Sequence, residues 1–108
     1  MKIVDYKTIG GKNLITDYID KLPINLKIKV LDIRRSIENE GLIAFTGFDT
    51  KRLVGKLYEI RFSNQRIAYM IIDSDVVYFL HIFKKQKNRT EKNDINLAIE
   101  RAKRKGLI

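Results

Sequence analysis

The alternating run Lys56-Leu57-Tyr58-Glu59-Ile60-Arg61-Phe62 sets a carboxylate and a guanidinium two residues apart, which on a strand means one face. A second β-prone run, Arg66-Ile67-Ala68-Tyr69-Met70-Ile71-Ile72, follows the turn signal Ser63-Asn64 and opens on another arginine. If Ser63 faces Arg66 across the turn, Arg61 pairs with Ala68 and Glu59 with Met70, which gathers Glu59, Arg61 and Arg66 on one surface. The spacing then predicts that the Arg66 guanidinium points to solvent, with Ile67, Tyr69 and Ile71 on the far side. The third run, Val76 to Phe83, carries the chain's one histidine, His81, and ends in Phe83-Lys84-Lys85, with Lys87 and Arg89 just beyond. Carboxylate, imidazole and paired guanidinium groups suit metal-free RNA cleavage, in which a ribose 2′-hydroxyl attacks its own phosphate. Glu59 or His81 would move protons. Arg61 and Arg66 would hold the phosphate and the charge that develops on it. Phe83 or Tyr69 would stack on a base, while Lys84, Lys85, Lys87 and Arg89 would grip the RNA backbone. The competing account is purely structural: a cross-strand salt bridge from Glu59 to an arginine, and a core histidine with satisfied nitrogens.

Much other chemistry is excluded. The 108 residues contain no cysteine, so disulfides, thiol nucleophiles and thiolate metal sites are out, and a single histidine supplies no multi-histidine metal site. No metal or other cofactor is expected. Gly10-Gly11, Gly47 and Gly55 fit no phosphate-binding loop, and Ser36, Ser63 and Ser74 lack the setting of a nucleophile elbow. Asp73-Ser74-Asp75 reads as a turn. No apolar run approaches membrane-spanning length, and the first residues lack a signal peptide's apolar stretch, so a cytoplasmic protein is expected. Residues 1–50 hold 8 basic and 7 acidic side chains, whereas 51–108 hold 14 and 6. That skew predicts an electropositive face for nucleic acid or an acidic partner.

The elements that must position these groups follow from periodicity. Lys2–Tyr6 is a short strand. Leu14, Ile15, Tyr18, Ile19 and Leu22 recur at helical spacing, predicting a helix over about 11–21. Pro23 opens a second helix to about Asn39, whose stripe of Leu26, Val30, Ile33 and Ile37 is widened by Ile24, Ile28 and Leu31. Gly41 to Thr50 reads as a loop. After the three strands, Thr90 caps a last helix striped by Ile95, Ala98, Ile99 and Ala102, ending before Gly106. The expectation is one α+β domain over 1–108 in the order β-αα-βββ-α. Its helices cover one face of a small, mainly antiparallel sheet, the two N-terminal ones packed together there.

Three blocks carry a resemblance. Leu53-Val54-Gly55-Lys56-Leu57-Tyr58-Glu59-Ile60-Arg61-Phe62 with Gln65-Arg66-Ile67-Ala68-Tyr69, then Tyr78-Phe79-Leu80-His81-Ile82-Phe83-Lys84-Lys85, then Asp94-Ile95-Asn96-Leu97-Ala98 resemble the RelE/HigB toxins, and within them the HigB-like branch found in phages. The resemblance implies a RelE-like fold and the toxin of a type II toxin–antitoxin system, a metal-independent endoribonuclease that cuts mRNA in the ribosomal A site. It implies a cognate antitoxin, typically a helix-turn-helix DNA-binding protein, with the toxin monomeric outside that complex. Arg66 matches the phosphate-stabilising arginine of the family, Arg61 a basic strand position, and Lys84 and Lys85 the basic strand end. Glu59 stands where some relatives carry lysine. The tail Arg104-Lys105-Gly106-Leu107-Ile108 has neither the tyrosine nor the histidine that several relatives place near the C-terminus. The alternative is a non-catalytic phage or plasmid module that grips RNA or an acidic partner with the same basic face.

Overall fold

The computed structural model describes residues 1–86 and 92–108. Strand β1 (Lys2–Asp5) leads into α1 (Leu14–Asp20), which Asn13 starts by accepting the Ile15 and Thr16 amide protons on Oδ1 at 3.0 and 2.9 Å. Helix α2 (Ile24–Glu40) follows Pro23 and ends at Gly41, whose φ of 70° suits a residue without a Cβ. The strands are β2 (Asp49–Val54), β3 (Leu57–Phe62), β4 (Gln65–Asp73) and β5 (Val76–Lys84), and α3 (Lys92–Arg104) closes the chain. The sheet order is β1-β5-β4-β3-β2, antiparallel throughout except that β1 runs parallel to β5. The fold is thus α+β, as expected.

Three expectations are corrected. First, Gly41 to Thr50 is not an open loop: Gly41–Gly47 forms a 3-10 turn that buries Ala44, and Asp49 begins a fifth strand. Second, the helices do not share one face. Helices α1 and α2 cover a core of Ile15, Ile19, Val30, Ile37, Ile60, Ile67, Tyr69, Val77, Phe79 and Ile82. Helix α3 covers the opposite face through Ala98 and Ala102, against Leu57, Ala68, Met70 and Leu80. Third, the β3–β4 register is shifted. Phe62 pairs with Gln65 across Ser63-Asn64, so Arg61 stands opposite Arg66 and Glu59 opposite Ala68. Ser63 takes the positive φ of 52° that the tight connection needs.

A β-bulge decides where His81 goes. Ala68 pairs with His81 but Tyr69 pairs with Phe79, leaving Leu80 as the extra residue. Strict alternation would put Phe79 and His81 on one face. The bulge instead leaves Phe79 in the α1/α2 core and turns both Leu80 and His81 toward α3.

Candidate functional site

Cross-strand neighbours share a face, so register alone assembles the site. Glu59, Ala68 and His81 form one row across β3, β4 and β5, and Arg61, Arg66 and Phe83 form the next. Ala68 keeps the centre of the first row low. Both rows lie on the α3 face, near the end of β5.

Within the rows, two guanidinium groups converge on one carboxylate. Glu59 Oε2 lies 3.9 Å from Arg61 Nε and 3.8 Å from Arg66 Nε. Arg66 Nη1 also donates to the carbonyls of Gln65 at 2.8 Å and Ser63 at 3.3 Å. Glu59 and Arg66 are buried, their side chains only 2% and 7% accessible, whereas Arg61 is 35% accessible and also stands 3.9 Å from Asp49 Oδ2. The expectation that Arg66 points to solvent is therefore wrong. The shifted register sets Arg66 inside the β3–β4 hairpin between its partners, and Arg61 is the arginine that reaches the surface. Arg61 lines a cleft with Lys29, Asp32, Ile33, Phe48 and Asp49, where the edge of β2 and β3 meets α2.

His81 has partners on both nitrogens. Nε2 is 2.9 Å from Asp94 Oδ1, in the first turn of α3, and Nδ1 is 3.4 Å from Arg101 Nη1. Arginine only donates, so Nδ1 accepts and Nε2 carries the proton that goes to Asp94, which fixes the tautomer of a neutral ring. Burial pushes the imidazole pKa below its ordinary value, and Arg101 adds to that, while the bond to Asp94 opposes it. Arg101 Nη1 also donates to Leu80 O at 2.9 Å, and Phe83 stacks on His81 with ring centroids 4.9 Å apart. The imidazole thus joins β5 to α3. Sequence reasoning missed Asp94 and Arg101. Their seven-residue spacing puts both on one side of α3, but nothing local to either names His81 as the partner.

Other expected contacts fall elsewhere. Tyr69 is not available for stacking. It is 3% accessible in the α1/α2 core, its ring centroid 5.1 Å from that of Phe45, and burial, with a smaller contribution from Tyr58, pushes its hydroxyl up to about 12. Phe83 is buried too, so it walls the site rather than offering an open ring. Lys84 pairs with Gln65, whose Oε1 accepts from the Tyr18 hydroxyl of α1 at 2.6 Å, so it belongs to the face opposite Phe83. Lys85 is exposed, its amide donating to Asn64 O at 2.8 Å across the hairpin turn. Lys87 and Arg89, and the expected cap Thr90, lie outside the described residues.

Among the described residues no helix is long and apolar enough to cross a membrane. Residues 17–103 match the family described as phage derived protein Gp49-like, a span from α1 into α3 that includes Glu59, Arg61, Arg66, His81, Asp94 and Arg101. No curated protein matches the chain.

Proposed function

Since the chain belongs to the family of phage-derived Gp49-like proteins, we propose that it is the toxin of a toxin–antitoxin module and that it cuts mRNA on the ribosome without a metal. The observation that carries this reading is the pair of opposed arginines, Arg61 and Arg66, converging on the Glu59 carboxylate, with Arg61, also 3.9 Å from Asp49, reaching the surface where a phosphate could meet it. In the proposed reaction the 2′-oxygen bonds to phosphorus as the bond to the 5′-oxygen breaks. Water takes the proton from the 2′-hydroxyl and a second water gives one to the 5′-oxygen, so the side chains bind and stabilise the phosphate and transfer no proton themselves. Arg61 holds the non-bridging oxygens, and Arg66 supports the same charge from behind. Glu59, buried between them, orients both guanidinium groups instead of meeting RNA. The cleft beside Arg61 supplies the Lys29 ammonium and the Phe48 ring, a combination suited to a phosphate and its base. Lys85 adds a backbone contact. In this reading the partners are the ribosome, mRNA and a cognate antitoxin of the helix-turn-helix type.

A second reading is favoured by the burial of Glu59 and Arg66: their ion pairs hold the hairpin, and the basic surface binds RNA or an acidic partner without cutting. Single-turnover cleavage of mRNA on programmed ribosomes separates the two, with each variant's melting measured alongside. Arg61→Ala should slow cleavage by ~10²–10³-fold, as losing one preorganised donor does, and should melt close to the wild type. Arg66→Ala strips a partner from a buried carboxylate, which costs about 3 kcal/mol or more, and should melt at least ~10 °C lower. A wild-type protein that binds ribosomes and leaves mRNA intact would establish the second reading.

A further inference from the structure

Strand β1 ends the sheet order, and beside it the C-terminal turn of α3 closes a cleft of about 340 Å³. Lys2 and Lys7 line it from the β1 side, Lys105 from beyond the helix end, and Tyr78 of β5 lines it as well. Tyr6, next in the chain after β1, organises the helix side. Arg101 lies over its ring at 4.8 Å and Lys105 at 5.3 Å, while Arg104 Nη1 donates to its hydroxyl at 3.4 Å. Cations attracted to an aromatic face are positioned before any ligand arrives. The acids nearby are already engaged. Asp5, the one carboxylate lining the cleft among the described residues, is bound by Arg34 at 2.8 and 2.9 Å and by Asn13 at 3.2 Å. Glu100 is taken by Arg104. Asp75 meets Lys2 through the main chain, its carbonyl accepting the Lys2 amide proton at 2.7 Å. Among the described residues, Lys2, Lys7 and Lys105 form no ion pair with a carboxylate. Three uncompensated ammonium groups therefore surround one concavity. Their form says which anion fits. The guanidinium groups of α3 are committed to Tyr6, Leu80 and Glu100, so the fork that suits a carboxylate is not on offer. Ammonium point charges with a phenol hydroxyl suit phosphate oxygens, and charge on both walls suits several phosphates in succession.

We propose that the cleft between β1 and the end of α3 binds the phosphate backbone of RNA, at a site separate from Arg61. Strands β1 and β3 are three strand spacings apart, roughly 14 Å, so an RNA that reaches both is gripped at two points on the molecule. The proposal concerns binding alone and does not rest on cleavage. The test titrates the full chain into a fluorescein-labelled 20-nucleotide single-stranded RNA, read by anisotropy over a range of salt. Lys2→Gln/Lys7→Gln/Lys105→Gln should weaken binding about tenfold or more at 50 mM salt. It should also flatten the slope of log affinity against log salt by about 2, three contacts at ~0.7 each. These side chains are exposed, so the variant should melt like the wild type. Lys2→Gln/Lys7→Gln, which leaves the Lys105 contact with Tyr6 intact, should show about two-thirds of the slope change. A control of equal charge, Lys21→Gln/Lys27→Gln/Lys56→Gln, lies outside the cleft and should keep most of the affinity. Wild type that binds no RNA, a cleft variant that binds like the wild type, or a control that weakens binding equally overturns the proposal. Polyglutamate of matched charge is the last arm. Binding as tight as that of RNA, lost in the cleft variant, would give the cleft to an acidic protein and likewise overturns it.

Discussion

His81 illustrates how completely surroundings decide what a side chain can do. Burial and Arg101 favour its neutral form, Asp94 the charged one, and the net direction is downward. The folded protein therefore resists a proton that the unfolded chain accepts near pH 6.5. Stability from this group is fully present above about pH 6.5 and is lost as pH falls through the lower folded-state value. Because the chain has one histidine, its ring resonance is identifiable by NMR without assignment. It should titrate below 6.5, and lower still in Asp94→Asn, which removes the carboxylate that opposes the shift. A ring titrating above 6.5 in the wild type would mean that Asp94 outweighs burial. The residue types of the site were legible in the sequence, since Glu59, Arg61 and Arg66 do meet on one face. Their depth was not. A one-residue error in the turn changed which arginine reaches solvent, because pairing partners, not strand identity, set what lies beside each side chain.

Among the elements, legibility followed amphipathicity. Helices α1 and α2 and strands β3 to β5 announce themselves by apolar spacing. Strand β2, Asp-Thr-Lys-Arg-Leu-Val, is an exposed edge with little to bury, so it has no period to read. The side of the sheet that α3 takes was also hidden, since its stripe states only that one side of the helix is covered. What marks the α3 contact is residue size. Ala98 and Ala102 are fully buried one turn apart, bringing the helix backbone close to Leu57, Met70 and Leu80. Enlarging either side chain has no space to occupy. Ala102→Leu should destabilise by about 1–3 kcal/mol, the usual cost of overpacking, measured by urea denaturation with an unchanged m-value. Since Asp94 and Arg101 ride on the same helix, its displacement should also raise the His81 titration toward the ordinary value.

For the molecule as a whole, charge governs association. The net +9 comes mostly from the second half of the chain, so binding to ribosomes or RNA should weaken by on the order of tenfold or more between 50 and 200 mM salt, as phosphate contacts release counterions. Affinity that is flat over this range would remove the basic face as the docking surface. Topology governs something else, the order of assembly. Among the described residues strand β1 pairs only with β5, and Lys2 waits for Val76. During synthesis the first strand therefore leaves the ribosome with nothing to pair with, while α1 and α2 form behind it. It can dock only after some seventy further residues have been translated, and α3, which brings Asp94 and Arg101 to His81, arrives later still. A nascent chain halted between β5 and α3 has the arginines but not the helix that completes their side of the sheet. The finished surface thus exists only once α3 has been translated.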